Sequence, residues 1–225
     1  MRLLKNTLHH AYRRWRLRRL EFQTGLGDAG WALHGLVRTL RPKLCVEIGS
    51  ARGWSTSLIA LALEENVQGR LLAIDPHNEN DWNDLGGPSL AHLKRNLRAL
   101  RLGHRVDIIA RDSISAAPLV PAGVDLVFVD GDHSYEGVRR DWETYQPKLS
   151  PWGLFAFHDS LWGHLGDPAL LSFQRDDMGV PLFLEELRIA GYPLITLHSG
   201  AGLTLVQPHP GGRSLLPRTP RANCN

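Results

Sequence analysis

Five apolar runs, residues 44–48, 71–74, 106–110, 125–130 and 154–157, alternate along the chain with segments of helical period. Residues 126–129 have no polar face, so that strand is expected to be buried on both sides, as parallel sheets require. Helices are expected at residues 30–40, from about 54 to 63, and at 90–100, 137–145 and 183–190. Strands and helices alternating at this rhythm specify an α/β fold with a doubly wound, mostly parallel sheet. A last pair of strands, 194–198 and 203–207, flanks Ser199-Gly-Ala-Gly202 as a hairpin; it adds an antiparallel strand and brings the sheet to seven. The five runs end at or beside Glu47, Asp75, Asp112, Asp130 and Asp159. In one parallel sheet these acids share the carboxyl edge, where open α/β folds bind ligands.

The 225 residues are 43% hydrophobic, enough for one substantial core. The net charge of +3 is unevenly placed. Residues 1–20 hold seven Lys or Arg and no acid, and the tail after Val206 adds Arg213, Arg218 and Arg221; between Glu21 and Val206, 16 basic residues face 23 acidic ones. An acidic body with basic ends argues against nucleic acid as the main ligand, because a basic face would have to run through the folded domain. Leu3, Leu4, Leu8, Tyr12, Trp15 and Leu20 recur at roughly helical spacing among arginines. Residues 1–24 are therefore read as a basic amphipathic helix, 25–207 as the folded domain and 208–225 as a flexible basic tail. Such a helix packs on the domain, on a second copy in a homodimer or, through residues 1–20, on an anionic membrane surface. Residues 1–20 lack the apolar run of about 7 to 15 residues of a secretory signal, and no segment reaches the roughly 18 needed to span a bilayer. Cys45, in an apolar strand, and Cys224, beside the C-terminus, do not suit a disulfide framework, so a reducing cytoplasm is expected.

The densest polar chemistry follows the fourth run, in Asp130-Gly-Asp132-His133-Ser134. Asp132 or Ser134 reads as the N-cap of a helix starting near Tyr135, whereas Asp130, still on the strand end, reads as functional. Arg139, Arg140, Asp141 and Glu143 read as a solvated helix face.

After the first run comes Glu47-Ile-Gly49-Ser50-Ala-Arg-Gly53-Trp-Ser55. Its glycines stand where backbone must approach a ligand closely. It is not Gly-x-Gly-x-x-Gly, and an acid in the turn counts against a pyrophosphate but suits an amine-bearing ligand. Together with Asp75-Pro76 and Asp112-Ser113 at the next strand ends, this pattern resembles the class I S-adenosylmethionine-dependent methyltransferases over roughly residues 44–207. The resemblance implies a Rossmann-like methyltransferase fold in which Glu47, Gly49 and Gly53 border the methionine moiety, with Ser50 and Ser55 in the same loop. It implies that Asp75, beside Pro76, holds the ribose hydroxyls, that Asp112 and Ser113 sit at the adenine, and that Asp130 borders the cofactor. A carboxylate accepting from vicinal hydroxyls is independently suited to the Asp75 role.

Val127-Phe-Val-Asp130-Gly-Asp132-His133-Ser-Tyr-Glu and Gly153-Leu-Phe-Ala-Phe-His158-Asp159 are similar to a narrower bacterial group. These are the metal-dependent O-methyltransferases that include macrolide-sugar and aminocoumarin enzymes and cephalosporin-hydroxylase-like proteins. The resemblance implies methyl transfer to a hydroxyl of a small molecule, a sugar or other specialised metabolite of natural-product biosynthesis. It implies a divalent cation, Mg2+ or Mn2+, on Asp130, His158 and Asp159. Where this chain has His158, the group usually has a carboxylate; imidazole favours Mn2+, Fe2+ or Zn2+ over Mg2+, and His158 could equally orient Asp159. His133 and Asp132 compete as the base, with His133 preferred because an unperturbed pKa of about 6.5 suits proton abstraction near neutrality. Residues 77–89 and 160–181 would bring Trp82, Trp162, His164 and Phe173 to the same edge as an acceptor pocket or its lid. Two other readings stand beside this one: a metal-independent methyltransferase with a histidine base, and a non-catalytic S-adenosylmethionine-binding scaffold docked through residues 1–20.

Overall fold

The computed structural model describes residues 12–17, 19–20, 22, 25–78, 88–162 and 179–208. Helix α1 (Ala29–Leu40) leads into β1 (Leu44–Ile48), α2 (Trp54–Asn66), β2 (Arg70–Ile74), α3 (Ser89–Leu100) and β3 (Val106–Ile109). A short α4 (Ser113–Ala116) follows, then β4 (Val124–Val129), α5 (Tyr135–Tyr145), β5 (Leu149–His158), α6 (Val180–Ile189), β6 (Leu194–Leu197) and β7 (Leu203–Val206). The strands form one sheet in the order β3-β2-β1-β4-β5-β7-β6. Pairing is parallel from β3 through β5, and β7 runs antiparallel to both its neighbours. This is the doubly wound sheet expected from the alternation of runs.

Strand order reverses between β1 and β4, and at such a switch point the connections leave in opposite directions and open a crevice. The backbones nearly touch there. Asp130 N–H donates to the Ile48 carbonyl at 2.8 Å and Gly49 N–H to the Ile74 carbonyl at 2.9 Å. Gly49 has φ +88°, and a Cβ on it would overlap the Asp130 carbonyl oxygen; no other residue fits this crossing.

Both sheet faces are covered. Along β4, Leu126 and Phe128 join a core with α1, α2 and α3, while Val127 and Val129 join a second core with α5 and α6. The second core is rich in rings: Trp142 lies 4.7 Å from Phe155 and 6.0 Å from Phe183, centroid to centroid. Helix α2 is buried on nearly all sides, between the sheet and α1.

Three local expectations change. Strand β5 begins at Leu149 rather than 154, because its exposed first turn, with Pro151 and Trp152, hides the apolar pattern and the ladder with β4 is irregular between Val124 and Leu126. Asp112 caps the unexpected α4, its Oδ1 accepting from Ser115 N–H at 2.9 Å. Asp141 does not lie on a solvated face; it is 2% exposed. Ser134 caps α5 by accepting from Gly137 N–H at 3.0 Å. Residues 12–17 are helical, with Leu17 in the core, Arg13 on Glu64 at 3.1 Å and Arg14 on Glu65 at 2.9 Å. Of the helix expected over residues 1–24, the described residues 19, 20 and 22 are not helical; residues 1–11, 18, 21, 23 and 24, and the tail from 209, lie outside the described residues. Among the described residues no helix is long and apolar enough to cross a membrane.

One acid sits inside the first core. Glu47 is fully buried; Thr56 Oγ1 donates to its Oε2 at 2.6 Å, and Oε1 has no well-formed hydrogen bond among the described residues. Burial pushes its pKa up to about 8 against the pull of the Ser55 and Thr56 hydroxyls. The folded chain therefore keeps a proton that the unfolded chain releases above pH 4.5, and stability falls as pH rises from there to about 8. Glu47→Gln is expected to gain on the parent by about 4 kcal/mol between pH 5 and pH 8 in urea denaturation; parallel pH curves for the two proteins would refute this. Gly49→Ala should destabilise by about 2 to 4 kcal/mol in the same assay, and a parent-like midpoint would show that the crossing tolerates a side chain.

Candidate active site

Read along the carboxyl edge in sheet order, the strand ends deliver Asp112 from β3, Asp75 from β2, Gly49 from β1, Asp130 from β4 and His158-Asp159 from β5. A cavity of about 770 Å3 runs over all five, a size suited to a cofactor-sized ligand. Gly49, Ser50, Gly53, Ser55, Asp75, Pro76, Asp112, Ser113 and Asp130 all line it. Glu47 alone of the expected cofactor residues does not: it lies behind the glycine loop, under Thr56.

The β1–α2 loop is held from below. Asp75 accepts from Ala51 N–H through Oδ2 at 2.8 Å and from His77 N–H through Oδ1 at 2.6 Å, which ties the first two strand ends together. Ala51 and Gly53 both have positive φ, 41° and 88°, and Asn96 Nδ2 anchors the Arg52 carbonyl at 3.0 Å. Ser50 Oγ is buried with no hydrogen-bond partner among the described residues. An orphaned hydroxyl on a glycine cradle suits a polar ligand lying along the loop.

At the β4–β5 end, register decides the chemistry. Val129 pairs with Phe157, so Asp130 and His158 fall side by side, and His158 Nδ1 donates to Asp130 Oδ1 at 2.9 Å. Asp159, in a left-handed conformation with φ 54°, turns back so that its Oδ1 lies 3.2 Å from the same Nδ1. His133 closes the ring, its Nε2 2.9 Å from Asp159 Oδ2 and 3.4 Å from Asp130 Oδ1. Burial alone would lower both imidazole pKa values; the hydrogen bonds and charges of Asp130 and Asp159 overcome it and raise each to about 10. The two carboxyls are correspondingly held below their ordinary value despite burial. The cluster therefore balances two imidazolium charges against two carboxylates.

Donor atoms of Asp130, His133 and Asp159 lie within 4.8 Å of one another, a grouping that could hold a metal ion. It differs from the expected set: His133 takes the place foreseen for His158, whose Nδ1 points at the two carboxylates and whose Nε2 is buried without a partner among the described residues. Asp132 lines the cavity but stays more than half exposed, capping Ser134 N–H at 3.0 Å, with Arg140 at 3.7 Å. Trp162 lines the cavity, while Trp82, His164 and Phe173 lie outside the described residues.

Among the cavity residues that were not foreseen are Gly25, Trp54, Arg140 and Asp141. Gly25 faces His158, whose Cε1 would be 3.7 Å from an added Cβ, and Trp54 packs tilted against Phe22 and edge-on against Trp31; neither carries a sequence signal for the site. Asp141 did carry one, since it shares the helical stripe of Val138, Trp142 and Tyr145, all buried.

Residues 46–160, just over half of the chain, match the family model described as a methyltransferase domain. The uncharacterized protein y4gI of Sinorhizobium fredii is 31% identical over 59% of this chain and 15% of its own length. Caffeoyl-CoA O-methyltransferase 2 of Zea mays is 28% identical over 62% of this chain and 50% of its own. The chain thus spans half or less of the length of these relatives. The O-methyltransferase TomG of Streptomyces achromogenes, solved in complex with S-adenosylmethionine, superposes with a TM-score of 0.62 at 21% identity over 88% of each chain, a likeness of fold. The strand order, the glycine loop over the switch point and the matched half of the sequence agree, and the chain belongs to the family of class I S-adenosylmethionine-dependent methyltransferase domains.

Proposed function

We propose that this protein transfers the methyl group of S-adenosylmethionine to a hydroxyl of a small molecule, with Asp130, His133 and Asp159 as ligands of a divalent cation. The observation that carries the reading is the gathering of two carboxylates and an imidazole on the wall of the cavity that also holds the glycine loop. The names of the similar proteins favour oxygen as the acceptor atom: one is a caffeoyl-CoA O-methyltransferase and another an O-methyltransferase seen with S-adenosylmethionine. Asp132 and Trp162 on the cavity wall suit a hydroxylated acceptor of modest size.

In the transfer, a lone pair of the acceptor oxygen forms the new C–O bond as the S–CH3 bond breaks onto sulfur, leaving S-adenosylhomocysteine; the hydroxyl proton departs to a base. A cation in this site would supply Lewis acidity that lowers the pKa of the acceptor hydroxyl and fixes its direction. The donor set fits such an ion: two carboxylates suit Mg2+ or Mn2+, and the imidazole shifts preference toward Mn2+. As a ligand of a cation, His133 would give its imidazole lone pair to the ion and lose the proton that it holds between Asp130 and Asp159 in the metal-free cluster, so it could not also accept the hydroxyl proton. The base is then Asp132, the other candidate, which faces the cavity as an exposed carboxylate. His158 positions Asp130 through its 2.9 Å hydrogen bond.

The balance of charge within the cluster favours a second reading. Two imidazolium groups already compensate Asp130 and Asp159, so the same residues could stabilise a developing oxyanion without a metal.

Release of S-adenosylhomocysteine from catechol, caffeoyl thioester and hydroxylated-sugar acceptors tests both readings. Asp130→Asn and Asp159→Asn should each lower turnover by about 100-fold while S-adenosylmethionine affinity, read by calorimetry, stays within about threefold. Turnover that survives EDTA would favour the metal-independent reading. With Mn2+ alone, nitrogen coupling in the electron spin-echo spectrum should vanish in His133→Gln and persist in His158→Gln; the reverse would exchange the two histidines' roles.

A further inference from the structure

We propose that Asp141 is a positioning residue that makes the cavity selective for a 6-aminopurine over a 6-oxopurine, acting through Ser113. The inference rests on the reading of S-adenosylmethionine as cofactor and extends it to a residue outside the loop motifs.

Asp141 is 2% exposed, yet it lies on the cavity wall beside Ser113, Ile114 and Arg140. A buried carboxylate needs a partner, and the Ser113 hydroxyl supplies one, donating to Asp141 Oδ1 at 2.5 Å. One turn after Asp141 on the same stripe, the fully buried Tyr145 donates its hydroxyl to the Ser113 carbonyl at 2.6 Å. Helix α5 therefore grips both polar ends of Ser113, the residue that directly follows the Asp112 cap of α4. Burial pushes the Asp141 carboxyl up to about 6 against the pull of Ser113, so at neutral pH it is ionised and can only accept.

That direction has a consequence for ligand choice. With its proton committed to Asp141, Ser113 Oγ can offer the cavity only lone pairs, and Asp112 beside it is likewise an acceptor. An edge built of acceptors favours a purine carrying an amino group at carbon 6 and disfavours one carrying a carbonyl there, because two acceptors would face each other without a proton. Without Asp141, the Ser113 hydroxyl can rotate and donate to either purine.

The test compares S-adenosylhomocysteine with S-inosylhomocysteine by calorimetry at pH 7.5. The parent protein should prefer the adenosyl compound by at least about 30-fold, and Asp141→Ala should cut that ratio by about 10-fold, as should Ser113→Ala. The ratio is the informative quantity: a merely structural role would weaken both ligands together and leave it unchanged, which would overturn the proposal while leaving the cofactor reading intact. Failure of the parent protein to bind S-adenosylhomocysteine would overturn both.

Discussion

The site depends first on how closely two peptide chains pass at the middle of the sheet. Where β1 and β4 end side by side, the Ile48 carbonyl takes the Asp130 N–H and the Asp130 carbonyl lies where any side chain on residue 49 would have to go. Glycine at this point lets the first strand turn toward α2 while the fourth turns toward α5, so the crevice opens between them. Everything polar at the edge is arranged around that crossing: Asp75 pins the loop on one side, and the Asp130 side chain meets His158 on the other.

Buried acids at this edge are tolerated in three different ways. Glu47 has only hydroxyl partners and keeps its proton. Asp141, with one hydroxyl and a view of the cavity, sits between the charged and neutral forms near pH 6. Asp130 and Asp159 remain ionised because two imidazoles share their charge. Dehydration penalises a carboxylate in all three places; what differs is whether a cation is within reach. That difference separates a residue that supports the loop from residues able to bind a metal ion or steady an oxyanion.

The segments outside the family match contribute to the same site. Gly25 comes from before residue 46 and faces His158. Gly179, from beyond residue 160, donates its N–H to the His133 carbonyl at 2.7 Å and leaves no room for a Cβ against the Tyr135 backbone. Arg13 and Arg14 tie residues 12–17 to Glu64 and Glu65, whose pKa values fall to about 2 because cationic partners overcome their partial burial. Those arginines serve the domain itself, an outcome that helical spacing and charge could not distinguish from other uses.

Period and spacing determined the alternation of strands and helices, the single mostly parallel sheet and the row of acids at its carboxyl edge, because each depends on residues close together in the chain. The strand termini of β1, β2 and β4 were legible for the same reason, as was the Ser134 cap. Strand β5 was cut short where Pro151 and Trp152 mask a paired stretch, and Asp141 was misplaced because one charge in a run of charges looks solvated until its neighbours on the stripe are seen buried. Tertiary structure alone decided which nitrogen meets which carboxylate. From the sequence, His158 is expected on the metal and His133 as the base; the β4–β5 register instead aims His158 at Asp130, and the left-handed turn at Asp159 brings the Asp159 carboxylate to His133. Contacts of that kind are set by the pairing of strands far apart in the chain, and no local pattern encodes them.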